Sequence, residues 1–402
     1  MNDEVRVGPG APTQQDRRAW RIGFGTLALS LGAAGMAVQY VAGTLGPILV
    51  TELALSRTQL GAIPSVLFAV AAVCSLAVGR AVDRLGGRAS VYATLGLATL
   101  AVAAIAGAWG YAALVLAAAV GGVAAAAANP VTNLLVTRHV RRGAGLFLGL
   151  KQAGAQLYAF LCGAALPAIA LTVGWRISAL AATFPPLASV VMVRRIVPSE
   201  PIGTPTAGNG DGLRGEGLLP IWTYALVMGA GQGPVVTYLP LYGFEAIGFD
   251  AVSAGAVVGA AGLAGVAGRV TWGALATRFR SHRSLLVWLA LTATVSVTLV
   301  ASATWLGPGA LWTGAVLFGS SSGWMTAVML AVVQLGSTTS PGRRSSQIMV
   351  PAYLGVMISA LSFGALVDLT GSYALAWGML AALLAVGSLL VLPARRLAAR
   401  PR

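Results

Sequence analysis

The apolar and polar positions of this chain do not alternate; they fall into long apolar runs separated by short polar stretches. Runs of roughly 20 residues, enough for a helix to cross the hydrocarbon layer of a bilayer, recur about twelve times. The spans predicted are 19–44, 59–80, 89–108, 111–136, 145–171, 176–194, 219–243, 252–276, 284–304, 309–335, 347–369 and 373–393. The short alternating segments of a transmembrane barrel do not occur. The expected fold class is an all-α membrane protein with twelve transmembrane helices in two pseudo-symmetric six-helix bundles.

The pattern changes once, at 196–218, where proline, glycine and charge crowd together. This stretch reads as a cytoplasmic linker between six-span units at 19–195 and 219–394, with cytoplasmic tails at 1–18 and 395–402. A duplication would repeat features at a near-constant offset, and it does. Gln39, Thr44, Pro47 and Glu52 in "QYVAGTLGPILVTE" reappear 193 positions later as Gln232, Thr237, Pro240 and Glu245. Gly61 and Gly79 reappear 194 positions later as Gly255 and Gly273. Arg141-Arg142 are matched 202 positions later by Arg343-Arg344. Two parallel six-helix repeats are a secondary-transporter plan, with the substrate site near the midplane between the halves.

Composition agrees: 57% of residues are hydrophobic, 9% are charged, and mean hydropathy is +0.81. The 52 glycines favour close helix contacts. A net charge of +15 raises nucleic acid as a partner, but the charge is spread over loops on one side. Of the 26 basic residues, 22 lie in the tails, the linker and the loops that share one face. The positive-inside rule makes that face cytoplasmic, so both termini are expected inside, in a multi-pass protein of the cell's inner membrane. Lipid, not nucleic acid, is the expected surroundings. A cleaved signal peptide is not expected, because the first apolar run is too long and eleven more follow. Cys74 and Cys162 sit in separate spans as small core side chains.

Gly79, Asp83, Arg84, Gly86 and Arg88 in "GRAVDRLGGR" match a loop signature between spans 2 and 3, with Gly87 where an arginine is usual. The later "GALATRFRSHR" keeps Gly273 and Arg278 but has Thr277 in place of the aspartate, and "GALVDLTGSY" precedes the last span. On these motifs the chain resembles the major facilitator superfamily over essentially its whole length. Gly79, Asp83, Arg84, Arg88 and Arg278 are expected to act as a conformational latch, where charge pairs and helix dipoles hold the halves on the cytoplasmic side. An ordinary positive-inside loop would account for the arginines but not for the acid among them.

Two cations remain inside spans, Lys151 in span 5 and Arg269 in span 8. An ionised side chain there costs about 2.5–3.5 kcal/mol on insertion scales and normally faces a wet cavity or a partner. Lys151 follows Arg142 by nine residues and Arg269 precedes Arg278 by nine, which puts each roughly 13 Å from the cytoplasmic surface. The acidic residues all lie in the tail, the linker or near span ends, so the pair has no evident counterion. Such a pair suggests that the substrate brings the negative charge; the alternative is that Lys151 snorkels and Arg269 caps loop carbonyls.

The resemblance implies that spans 5 and 8 line a central cavity. An arginine four residues before a span-8 glycine, as Arg269 is, resembles the carboxylate-binding arginine of monocarboxylate transporters. Their acidic residue four positions earlier is Gly265 here. Around the cations, Gln152, Gln156, Gln39, Gln232, Asn129 and Asn133 are candidate substrate contacts, although glutamines also bridge helices and the asparagines flank a kink at Pro130. Tyr238, Tyr353 and Trp324 are further candidates that would serve equally as core, as would Tyr40.

The function expected is secondary-active transport by alternating access of a small organic anion, a carboxylate, with protons as a possible coupling ion and the monomer as the working unit. The alternative is efflux of drugs or toxic compounds, against which stand the lack of an arginine in span 4 and of a Gly-Pro element in span 5. No metal, no other cofactor and no enzyme activity are expected: His139 and His282 are isolated, and no phosphate-binding loop is present.

Overall fold

A computed structural model describes residues 14–140, 144–197, 219–275, 282–328 and 341–390, and among these there is helix and no strand. The first half comprises α1 (Gln14–Ala34), α2 (Ala37–Thr44), α3 (Gly46–Glu52), α4 (Arg57–Ala106), α5 (Tyr111–His139), α6 (Ala144–Val173), α7 (Trp175–Ala181) and α8 (Phe184–Ile196). The second comprises α9 (Leu219–Glu245), α10 (Ala251–Leu275), α11 (His282–Ala301), α12 (Ala303–Leu306), α13 (Pro308–Ser321), α14 (Pro341–Thr370) and α15 (Tyr373–Leu390). Each predicted span is helical over most of its described length, with turns inside spans 1, 6, 9 and 10 at 35–36, 182–183, 302 and 322–323. Among the described residues, by length and apolarity, seven helical stretches suffice to cross a bilayer, one of them α7 and α8 together, and eight with the bent pair α1–α2.

The count falls short of twelve because helices and spans do not map one to one. Spans 2 and 3 share the 50-residue α4, interrupted only where Gly86 takes φ 77° and ψ 175°. That conformation is open to glycine and strained for other residues, so the predicted loop is a single-residue elbow. Span 1 is instead cut into α1, α2 and α3: α1 and α2 meet at 59° around Gly35, and Gly46-Pro47 restarts the helix after Leu45, carrying it eight residues beyond the predicted edge. Span 6 breaks at Thr183, ahead of Pro185-Pro186. Span 10 breaks at Ser322-Gly323 and resumes at 324.

The halves meet where α2 packs on α9, α4 on α14 and α6 on α10. Glycine sets the separation at two of these seams. A β-carbon on Gly163 of α6 would collide with the α10 backbone at Gly255 and Gly259, and one on Gly61 of α4 with the Tyr238 hydroxyl and the Ala360 carbonyl. Backbones approach closely only where side chains are missing.

The ends of the halves remote from the Gly86 elbow, predicted to face outward, are tied by polar contacts. The carboxylate of Asp368 on α14 accepts from the Arg57 and Thr58 backbone N–H groups at 3.1 and 2.8 Å and from the Thr58 hydroxyl at 2.6 Å. An acid from one half thus caps a helix of the other, adding to the local capping box of Ser56 and Gln59. Asp250 caps α10 locally, from the position just before it, and the Ser253 N–H, at 2.6 Å, holds its carboxyl below the ordinary range. Exposed Leu76, Val73, Val191 and Leu389 face outward from the bundle, as lipid-facing side chains do, and Trp109 and Trp305 project from helix ends on the predicted outer side.

Candidate functional site

Lys151 is 8% exposed, on the face of α6 that turns inward. Its Nζ donates to Asn129 Oδ1 of α5, and Asn129 Nδ2 donates at 3.3 Å to the Tyr353 hydroxyl of α14. Tyr353 in turn rests against Phe68 of α4, ring centroids 5.2 Å apart. A lysine, an asparagine and a tyrosine therefore form a polar chain that crosses from the first half to the second. Lys151 does not reach toward the cytoplasmic interface; its partner is a neutral amide within the bundle.

Arg269 of α10 faces the same level from the other side. Its guanidinium donates to the Gln152 carbonyl, next in sequence to Lys151, and to the Ser322 carbonyl at 3.3 Å, while Nε has no partner. The break in span 10 makes the second contact available, since Ser322 follows the last residue of α13 and its carbonyl is freed from the helix. Arg269 lies close enough to Lys151 for the two charges to interact, and near the neutral Tyr40 hydroxyl. The cations thus share one depth, as their spacing predicts. Their hydrogen-bond partners are neutral; the acids Glu52, Asp83, Glu245, Asp250 and Asp368 lie at helix ends or at the Gly86 elbow. Arginine holding two backbone carbonyls is part of the alternative weighed for it, although these carbonyls belong to helix and helix break within the bundle.

Ser322, whose carbonyl Arg269 binds, also borders a cavity of about 30 Å³, room for little more than water. Tyr40, Gln156, Gln232, Ser321, Ser322 and Trp324 supply its polar and aromatic edges, and Val235, Val236, Leu239, Val258 and Phe318 its apolar wall. Gln156 covers Gly265 so closely that a β-carbon there would stand 2.7 Å from Oε1. The Ser322 hydroxyl, like Arg269 Nε, has no partner. The Ser322 hydroxyl is thus a spare donor at the edge of this small space.

Other candidates are placed elsewhere. Gln39 is 1% exposed, neither of its amide atoms has a partner, and it is its neighbour Tyr40 that reaches the cavity. Asn133 sits one turn beyond Asn129, partly buried, its carbonyl accepting from the Thr137 hydroxyl. Gln152 contributes its carbonyl to Arg269. The Tyr238 hydroxyl points to the outer seam, donating to the carbonyls of Arg57 at 2.7 Å and Ala360 at 2.9 Å. Gly79, Asp83 and Arg84 surround the elbow of α4, with Asp83 and Arg84 exposed. Arg88 binds the carbonyls of Val197 and Arg194, both at 2.8 Å, tying α4 to the end of α8 inside the same half. Arg278 lies outside the described residues.

Sequence reasoning missed the outer cluster of Arg57, Glu245, Tyr373 and Asp368, and it missed Ser322. A signal for the cluster was present: Arg57 is one of only two basic residues on the sparsely charged face, and Glu245 belongs to the repeated motif.

A family model described as the Major Facilitator Superfamily matches residues 27–350. No curated protein matches. Among solved structures, the fold is similar to the crystal structure of a D-xylose-proton symporter, with TM-score 0.76 and 15% identity over 92% of this chain and 96% of that one. It is also similar to the nucleoside transporter NupG, with TM-score 0.73 and 13% identity over 94% of this chain and 100% of that one. With its family match over four fifths of the length and its fold shared end to end with transporters, this multi-pass membrane chain belongs to the Major Facilitator Superfamily, and it is a secondary transporter, not an enzyme.

Proposed function

We propose that the protein carries a small organic anion, a carboxylate, by alternating access of the six-helix units 19–195 and 219–394, joined by a cytoplasmic linker. One observation carries this reading: Lys151 and Arg269 sit at one level between the halves and, among the described residues, hydrogen-bond only neutral groups. Removing charges from water is costly unless an opposite charge is supplied, and a bound carboxylate supplies it. Arginine with a free Nε suits planar carboxylate recognition and lysine a point contact. Gln156, Gln232 and Ser322 would hydrogen-bond the rest of the substrate, with Asn129 and Tyr353 orienting the lysine.

The outer seam is shut by the Arg57, Glu245, Tyr373 and Asp368 cluster, which supports a cycle in which this cluster parts when the site opens outward. The arginines around Asp83, with Arg278, would close the opposite, cytoplasmic side. Both termini inside and a working monomer complete the reading.

Uptake of labelled organic acids by proteoliposomes tests it. Lys151→Gln and Arg269→Gln should each abolish transport while the purified protein stays monodisperse. Normal transport by both variants would remove the anion site. Efflux of an apolar toxic compound is the second reading, favoured by the valines, Leu239 and Phe318 of the cavity wall. Uptake insensitive to acids, together with resistance conferred on cells by the overproduced protein, would favour it.

A further inference from the structure

The seam between α6 and α10 changes character along its length. At Gly262 a β-carbon would stand 2.6 Å from the Phe160 nitrogen and 2.7 Å from the Gln156 carbonyl, so the two backbones touch. Three residues on, at Gly265, the nearest atoms are instead those of a side chain: Oε1, Cδ and Cγ of Gln156, at 2.7, 2.8 and 3.0 Å. Four residues further, Arg269 holds the Gln152 carbonyl. These spacings keep Gly262, Gly265 and Arg269 on one face of α10. The missing side chain at 265 is therefore a seat that the Gln156 side chain fills, between the backbone contact and the cation.

Gln156 is 7% exposed and borders the cavity together with Gln232 and Ser322. Among the described residues neither glutamine amide forms a hydrogen bond, and the Ser322 hydroxyl has no partner. Ser321 beside it differs, donating to the Phe318 carbonyl at 2.7 Å. Amides and hydroxyls held out of water are costly unless a ligand pairs them. Charge decides which ligand group suits. An ammonium would be repelled by Lys151 and Arg269, and a second carboxylate is drawn to those cations, not to a cavity with neutral edges. A hydroxyl both donates and accepts, which matches an amide and a serine together.

We propose that Gln156, seated over Gly265, is a specificity-determining residue: its amide, with the Ser322 hydroxyl, binds a hydroxyl of the substrate, so that the carrier selects hydroxylated carboxylates over the same acids without hydroxyls. Gly265 is a positioning residue that acts through Gln156. The assignment rests on the carboxylate reading above. A site built to pair a hydroxyl rejects an analogue that lacks it, because its own polar groups are then left without partners.

The test uses the full chain in proteoliposomes with two matched pairs of probes, glycerate with propionate and gluconate with hexanoate. For the wild type, KM should be lower for the hydroxylated member of at least one pair by about tenfold or more. Gln156→Met keeps the bulk and loses the amide; it should raise KM for the hydroxylated acid and shrink the preference by about tenfold. Gly265→Ala should shrink it too by displacing the amide, and should not move it further in a Gln156→Ala background, where the seat is empty. A packing role alone would lower the thermal midpoint of Gly265→Ala without changing the preference. Should Gly265→Ala fail to fold, Gln156→Met decides. If the wild type takes up carboxylates without preference for hydroxyls, or Gln156→Met keeps the wild-type preference, the specificity assignment falls and the carboxylate reading stands. If Gly265→Ala shifts the preference equally with and without Gln156, its positioning role falls. If none of the four acids is taken up, the carboxylate reading falls and the assignment with it.

Discussion

Arg57, the first residue of α4, meets Glu245, the last of α9, at 3.0 Å across the outer seam, and Tyr373 donates to the same carboxylate at 2.7 Å. The side chains of the pair are 40% and 20% exposed, so water screens them and the pair contributes about 0–1 kcal/mol. Asp368 does more for the seam, because it satisfies two backbone N–H groups and a hydroxyl of the other half.

A ranking follows for outer closure. Glu245→Gln should raise outside labelling of a cysteine placed at Gln232, in a background lacking Cys74 and Cys162, by no more than about fivefold. Asp368→Ala, which removes a helix cap worth about 0.5–2 kcal/mol, should raise it further. The opposite order would mean that the ion pair, not the cap, holds the seam.

The repeated glycines Gly61 and Gly79 divide by their surroundings. Gly61→Ala should force α4 from α14, at about 1–3 kcal/mol, and lower the thermal midpoint of the purified protein. Gly79 has nothing within 4 Å of where a β-carbon would stand, so Gly79→Ala should leave the stability of this conformation unchanged or slightly raised. Transport loss in Gly79→Ala without loss of stability would place its close contact in the opposite conformation.

The polar chain that begins at Lys151 should be graded in effect. Tyr353→Phe removes one hydrogen bond of 3.3 Å and should weaken anion binding by about two- to tenfold. Asn129→Ala removes the acceptor that Lys151 has among the described residues and should weaken it more. Equal effects in titration calorimetry would show that Asn129 acts through Tyr353 alone.

Arg269 cannot be replaced by the other cation. Arg269→Lys keeps the charge but has no planar fork to hold the Gln152 and Ser322 carbonyls while presenting Nε. Carboxylate affinity should fall by at least about tenfold, read as a raised KM in vesicle uptake. Unchanged KM would limit Arg269 to a structural role.

The all-helical membrane class, the repeat at an offset of 193 and the equal depth of Lys151 and Arg269 were legible in the sequence alone. Each follows from a property local to the chain: a run of apolar residues must be helical in lipid, and helix rise converts residue number into depth. Tertiary structure decided what depended on meetings between distant segments. Whether span 2 ended in a loop or an elbow turned on the single φ of Gly86. That Tyr238 serves the outer seam, while Ser322 and Tyr40 border the cavity, depends on which helix face meets which neighbour. The cap that Asp368 places on α4 links residues 310 and more positions apart, a pairing that no local pattern of charge or hydrophobicity encodes, because it exists only once two bundles have packed.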